Sequence, residues 1–273
     1  MTAAPSQNSI VAISRERHAG KGWRGPGSYE FARSWHVAPI SGAEVGHSAR
    51  SMPLAFVQSG DKPMLVALLG LVPGHNLFVG PDGKWLGPYI PAALRAYPLV
   101  LANSGAPGSE QLTLAFNESS DLLCDADEGT PFFAEDGSTP HQRTSEMLQF
   151  LVQVRRGNEA ASGAAQALQA AGVIEPWPIN VKDGETTRSV QGISRVNEPA
   201  LNRLDDAAFL ALRKAGALSV AYAQLLASQN LAVLERLGQV QRAARPAPRV
   251  DAAALFSPAM EDEKFDWESL LKD

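Results

Sequence analysis

The chain is poor in the groups that usually announce a chemistry. It has one cysteine in 273 residues, Cys124, so no internal disulfide can form, and a reducing compartment is the expectation. Cys124 stands among acids, which raise a thiol pKa, so it makes a weak nucleophile. Positive charge is not in surplus: net charge is −5, which argues against nonspecific nucleic-acid binding. Long apolar runs are missing too. The run from Met64 to Val72 is too short to span a bilayer. The opening MTAAPSQNSIVAI has no basic segment followed by a long apolar one, so no signal peptide is expected. The expectation is a cytoplasmic protein without membrane insertion.

Motifs are equally scarce. There is no GxSxG elbow, no phosphate-binding P-loop and no dinucleotide turn. The five histidines, His18, His36, His47, His75 and His141, form no pair at helical metal-binding spacing. Asp121, Asp125, Asp127, Glu128, Glu135 and Asp136 cluster, but without the order of an EF-hand loop, and read as a solvated acidic loop. Arg15, Arg17, His18, Lys21 and Arg24 with Trp23 read as an exposed strand edge kept soluble by charge, or as an anion site. No catalytic residue, metal ligand or cofactor is assigned.

What is present is a folded chain: 45% of residues are apolar and 19% charged. Met64 to Leu101 is its most informative stretch. Pro53–Gln58 and Met64–Leu71 read as a β-hairpin around Ser59-Gly60-Asp61-Lys62-Pro63. The second arm does not alternate, so burial on both faces is expected. Asn76–Val79 and Lys84–Leu86 read as short strands around Asp82-Gly83. Ala92–Ala96 reads as a short helix started by Pro91, and Leu99–Ala102 as a strand.

The pieces PLAF, LLGL, GHNLFVGPDGKW, YIPAALRAYPLVL and GTPFFAEDGSTP resemble the SapC family of bacterial proteins. ISRERHAGKGW near the start, and Gly192–Val196 and Gly216–Leu237 near the end, extend the resemblance to roughly residues 9–238. The chain departs from the family pattern at Leu99, usually Phe, and at Asn117, often Asp. The resemblance implies a bacterial protein associated with peptide-related or surface-layer roles.

Elsewhere, Ile10–Ile13, Gln111–Asn117 and Leu122–Cys124 read as strands, and Ser28–Ala32 and Trp35–Pro39 as extended. Ser41 and Glu44 have capping-box spacing. Two helices are expected from about His141 to Arg155 and from Asn158 to Ala171. Val173–Val181 and Ser189–Val196 flank a hairpin turn. Then come Asn197–Leu204, Ala207–Lys214 and one long helix from Leu218 to about Val240. The fold class is α+β: a largely antiparallel β-sheet with helices concentrated in the C-terminal third. Residues 1–8 form a polar tail, 9–240 the domain, and 241–273 a linker and an acidic aromatic tail.

Two candidate surfaces emerge. His75, Asn76, Trp85, Tyr89 and Arg95 lie in turns between buried strands, where an Arg with aromatic neighbours clamps a carboxylate. In the tail, Phe265, Trp267, Leu270 and Leu271 alternate with acids, as in peptides that dock on a partner, or it packs back on its own domain. The leading expectation is a non-enzymatic accessory protein that binds a peptide or protein partner. The alternatives are a metal-dependent enzyme, with non-haem iron among the metals that fit, whose His18, His36, His47 and His75 gather from separate loops, and a surface-layer structural protein.

Overall fold

The computed structural model describes residues 10–103, 111–183 and 186–244. The strands, in chain order, are β1 (Ile10–Ala12), β2 (Lys21–Trp23), β3 (Val37–Pro39), β4 (Leu54–Ser59), β5 (Lys62–Leu68), β6 (Leu99–Asn103), β7 (Leu112–Asn117), β8 (Leu123–Asp125), β9 (Thr130–Pro131), β10 (Ile174–Pro176), β11 (Ile179–Asp183), β12 (Thr186–Val190) and β13 (Ile193–Val196). The helices are α1 (Arg15–His18), α2 (Val45–Ala49), α3 (Ala92–Arg95), α4 (Gln142–Ala170), α5 (Glu198–Asn202), α6 (Asp206–Lys214), α7 (Ala217–Ala227) and α8 (Leu231–Ala244). Every described strand pair is antiparallel, and the α+β expectation holds.

The main sheet has the order β10-β13-β4-β5-β3. Its centre is the expected hairpin, with Ser59 opposite Lys62 and Gly60 at φ 60° in the two-residue turn. Leu65, Val66, Ala67 and Leu68 are all buried, so β5 is covered on both faces as its unbroken apolar run implies. Two residues past the strand stands Gly70, where a Cβ would run into the carbonyl of His75, so only glycine fits there. A second core belongs to smaller sheets, β1-β7-β6 and β8-β2-β9, and holds Trp23, Leu99, Leu114, Phe116 and Phe132.

One element links the two cores. Two helices are expected between residues 141 and 171, yet α4 is a single helix of 29 residues. Leu151 near its start belongs to the second core, and Ala164, Ala165 and Leu168 near its end to the first. Gly157 does not break it. A Cβ there would stand 2.8 Å from the Ser41 Cβ, so glycine lets α4 pass close to the 41–44 turn.

Three other expectations are corrected. Ser28–Ala32 is not extended: Glu30–Ala32 is a 3-10 turn, held by an Arg33–Glu30 ion pair across it. Asn76–Val79 is not a strand but carries a single bridge, Val79 to Trp85, because the Asn76 side chain takes the Phe78 N–H. The long C-terminal helix is interrupted at Ser228–Asn230, where Asn230 turns to donate to the carbonyls of Ala49 (2.8 Å) and Met52 (3.1 Å). The stretch Ala217–Ala243 is long and apolar enough by composition to cross a membrane, a feature the search for apolar runs overlooks. Here it packs on the main sheet: buried Gln224 accepts from Val196 N (2.9 Å) and donates to Leu54 O (3.1 Å).

Candidate functional site

The seam between the two cores carries the most unusual polar arrangement. It starts from a buried carboxylate. Glu44 is 4% exposed. One oxygen accepts from Ser41 Oγ (2.9 Å), the other from the backbone N–H of Ala92 at the start of α3 (3.0 Å). The spacing that suggested a capping box therefore serves as a tie: Glu44 caps a different helix, 48 residues on. This fixes the segment Pro88-Tyr89-Ile90-Pro91 that leads into α3.

Tyr89 stands at the centre. Burial, and then the neighbouring Glu44 carboxylate, push its hydroxyl pKa upward, so the phenol keeps its proton at neutral pH. Arg95, one helical turn further on, donates from Nε to Ile90 O (3.1 Å) and from its guanidinium to the Tyr89 hydroxyl (3.3 Å). The guanidinium carbon lies 5.0 Å from the Phe150 ring centre and 5.7 Å from that of Tyr89. Phe150 packs on the second core and Tyr89 on the first, so Arg95 sits across the seam. From α2, His47 stacks on Tyr89, with ring centres 5.5 Å apart and planes 12° from parallel. His47, Arg50, Ser51, Pro88 and Tyr89 line a cavity of about 110 Å³.

The five residues singled out from sequence divide. Trp85, Tyr89 and Arg95 are brought together: Trp85 Nε1 donates to Tyr89 O (2.7 Å) and its ring stacks on Phe78 at 5.1 Å. Asn76 is fully buried behind them, with its amide donating to Ala32 O (3.0 Å) and accepting from Phe78 N (2.9 Å). It holds the loop and faces inward. His75 is half-buried in the preceding turn. Sequence reasoning placed His47 in a metal set and did not include Arg50 or Ser51. α2 and the two residues after it deliver all three from about 40 residues upstream, and no local pattern marks that meeting.

A family model described as SapC matches residues 13–234. The chain belongs to the SapC family. No curated protein and no solved structure matches the chain. The matched stretch contains the whole corner around Tyr89, whereas the tail with Phe265, Trp267, Leu270 and Leu271 lies beyond it and outside the described residues.

The two charged clusters of this SapC-family chain are partly paired with one another. Lys21 pairs with Asp125 (2.7 Å) and Arg24 with Glu128 (2.5 Å), because antiparallel β2 and β8 align the basic and acidic stretches; Arg17 pairs with Glu118 (2.5 Å) at the end of β7. His18 is not at an exposed edge. It is fully buried, edge-on to Phe132, and its Nδ1 accepts from Ser14 N (3.2 Å). Its Nε2 lies 3.5 Å from Glu118 without a hydrogen bond, and burial lowers its pKa. Among the described residues no three His, Cys, Asp or Glu side chains lie close enough to hold a metal ion.

A larger groove, about 270 Å³, lies where β5 runs beyond β3 and faces α4, lined by Pro39, Met64, Asn158 and Ala161 among others. Its lining is mainly apolar. In the β4–β5 register the main-chain groups of Pro63 point to this edge, and proline has no N–H to offer an added strand. The groove is larger, but the Tyr89 corner holds the chemistry.

Proposed function

We propose that this SapC-family chain is a non-enzymatic accessory protein that binds a peptide or protein partner, and that the Tyr89 corner takes an acidic side chain of that partner. One observation carries the reading. Arg50 lines the cavity and Arg95 packs against Tyr89, which lines it too, and among the described residues neither has a carboxylate partner. Arg17, Arg24, Arg33, Arg143, Arg155 and Arg195 all do; the other arginines with no carboxylate partner among the described residues, such as Arg203 and Arg213, line neither cavity. A guanidinium fork meets a carboxylate in two parallel hydrogen bonds. The His47–Tyr89 stack offers a flat face for an aromatic neighbour of that acid. The volume suits one side chain; small-molecule sites usually measure about 300–1,000 Å³.

The test is capture of short peptides from a displayed library by the purified full-length chain. Peptides that combine carboxylates with an aromatic residue should be enriched. The substitution Arg50→Glu, at an exposed position on the cavity lining, should abolish that enrichment while the melting curve stays in place. Enrichment that survives the charge reversal, or that favours basic peptides, contradicts the reading.

A further inference from the structure

We infer that the corner's resident ligand is the chain's own C-terminal segment, residues 261–271. The inference rests on the peptide-binding reading above. The segment reads Glu-Asp-Glu-Lys-Phe-Asp-Trp-Glu-Ser-Leu-Leu, five carboxylates to one lysine, with Phe265 and Trp267 on either side of Asp266. That is the ligand chemistry the corner selects: carboxylates for Arg50 and Arg95, and an aromatic ring for the His47–Tyr89 face.

The fold also delivers the segment to the right place. Gln241, in the last turn of α8, donates to the carbonyls of Leu77 (2.9 Å) and Val79 (3.0 Å). Val79 bridges to Trp85, and Trp85 donates to the Tyr89 carbonyl (2.7 Å). The described chain therefore ends beside the loop that forms the corner. Twenty residues, 245–264, separate Ala244 from Phe265. Fully extended they reach about 70 Å, and a coil reaches less but ample distance. A tether of that length gives a local concentration on the order of millimolar. A partner's acidic peptide must displace the tail, so the tail sets the affinity threshold for capture.

The experiment titrates a fluorescent synthetic peptide of sequence EDEKFDWESLL into the full-length chain and into the full-length variant Phe265→Ser/Trp267→Ser. The variant is expected to bind about tenfold more tightly than the natural chain, at every protein concentration, because its own tail no longer competes. Equal affinity for both chains overturns the inference and leaves the peptide-binding reading standing. Binding to neither overturns both. A difference that disappears on dilution assigns the competitor to a second copy and overturns the intramolecular form. Arg50→Glu, at an exposed position with no described partner, should reduce peptide binding to the tail variant at least tenfold; unchanged binding places the peptide elsewhere and overturns the inference.

Discussion

Arg95 does two jobs. Its Nε and one terminal N–H hold the Tyr89–Ile90 segment, and its exposed position leaves the guanidinium open to a ligand. Arg95→Lys keeps the charge but loses both the planar fork and the Nε bond to Ile90 O, so acidic-peptide affinity should fall about tenfold and stability by about 1 kcal/mol. Titration calorimetry beside thermal melting checks both halves; unchanged affinity removes Arg95 from the site. A second prediction at this scale concerns pH. Burial lowers the pKa of His18 and of His36. The unfolded chain then binds protons that the folded chain refuses. Their contribution is complete above about pH 6.5, the ordinary histidine value, and is lost as pH falls below it. Glu30, Glu118 and Asp125, held low by Arg33, Arg17 and Lys21, add a further loss below the ordinary carboxylate range as pH falls toward their folded values. His18→Gln should flatten the upper slope between pH 6.5 and 5, read from urea unfolding at each pH; an unaltered slope removes His18 from the linkage. Trp85, Tyr89 and Arg95 were legible as a set because they lie within eleven residues. Asn76 was misread because a polar residue in a turn serves a backbone N–H as readily as a ligand.

At the scale of elements, periodicity located most strands and helices and misjudged their ends. Gly157 reads as a helix break, yet it is the point where α4 passes the Ser41–Glu44 turn. Ser228–Asn230 lacks glycine and proline, and the helix breaks there because Asn230 satisfies two carbonyls of the 49–52 loop. Such causes are tertiary and leave no mark on local sequence. They also link element to site. Gly157→Val should destabilise the protein by about 1–3 kcal/mol through overpacking against Ser41. It should also weaken acidic-peptide binding, because the Ser41–Glu44 bond that anchors the Tyr89 segment is disturbed. Denaturant unfolding and peptide titration check the pair. A valine variant of natural stability contradicts the close approach.

For the whole molecule, composition and strand-then-helix order were enough to read α+β. They did not reveal that the strands divide into separate sheets with two apolar cores, since pairing partners such as β13 and β4 lie far apart in sequence. The consequence is a seam. α4 spans both cores, and Arg95, Phe150, Tyr89 and His47 meet where they adjoin. Acidic and basic stretches elsewhere are partly paired across β2 and β8, while the seam keeps two guanidiniums without described carboxylate partners. The central claim is that this seam, and not the larger groove beside β5, is where an acidic peptide binds. Hydrogen–deuterium exchange of the Phe265→Ser/Trp267→Ser variant, whose own tail does not compete, with and without saturating EDEKFDWESLL peptide tests it most directly. Slower exchange confined to residues 45–51 and 88–97 is the expected result; protection of residues 62–65 and 158–162 instead, or of no segment, contradicts it.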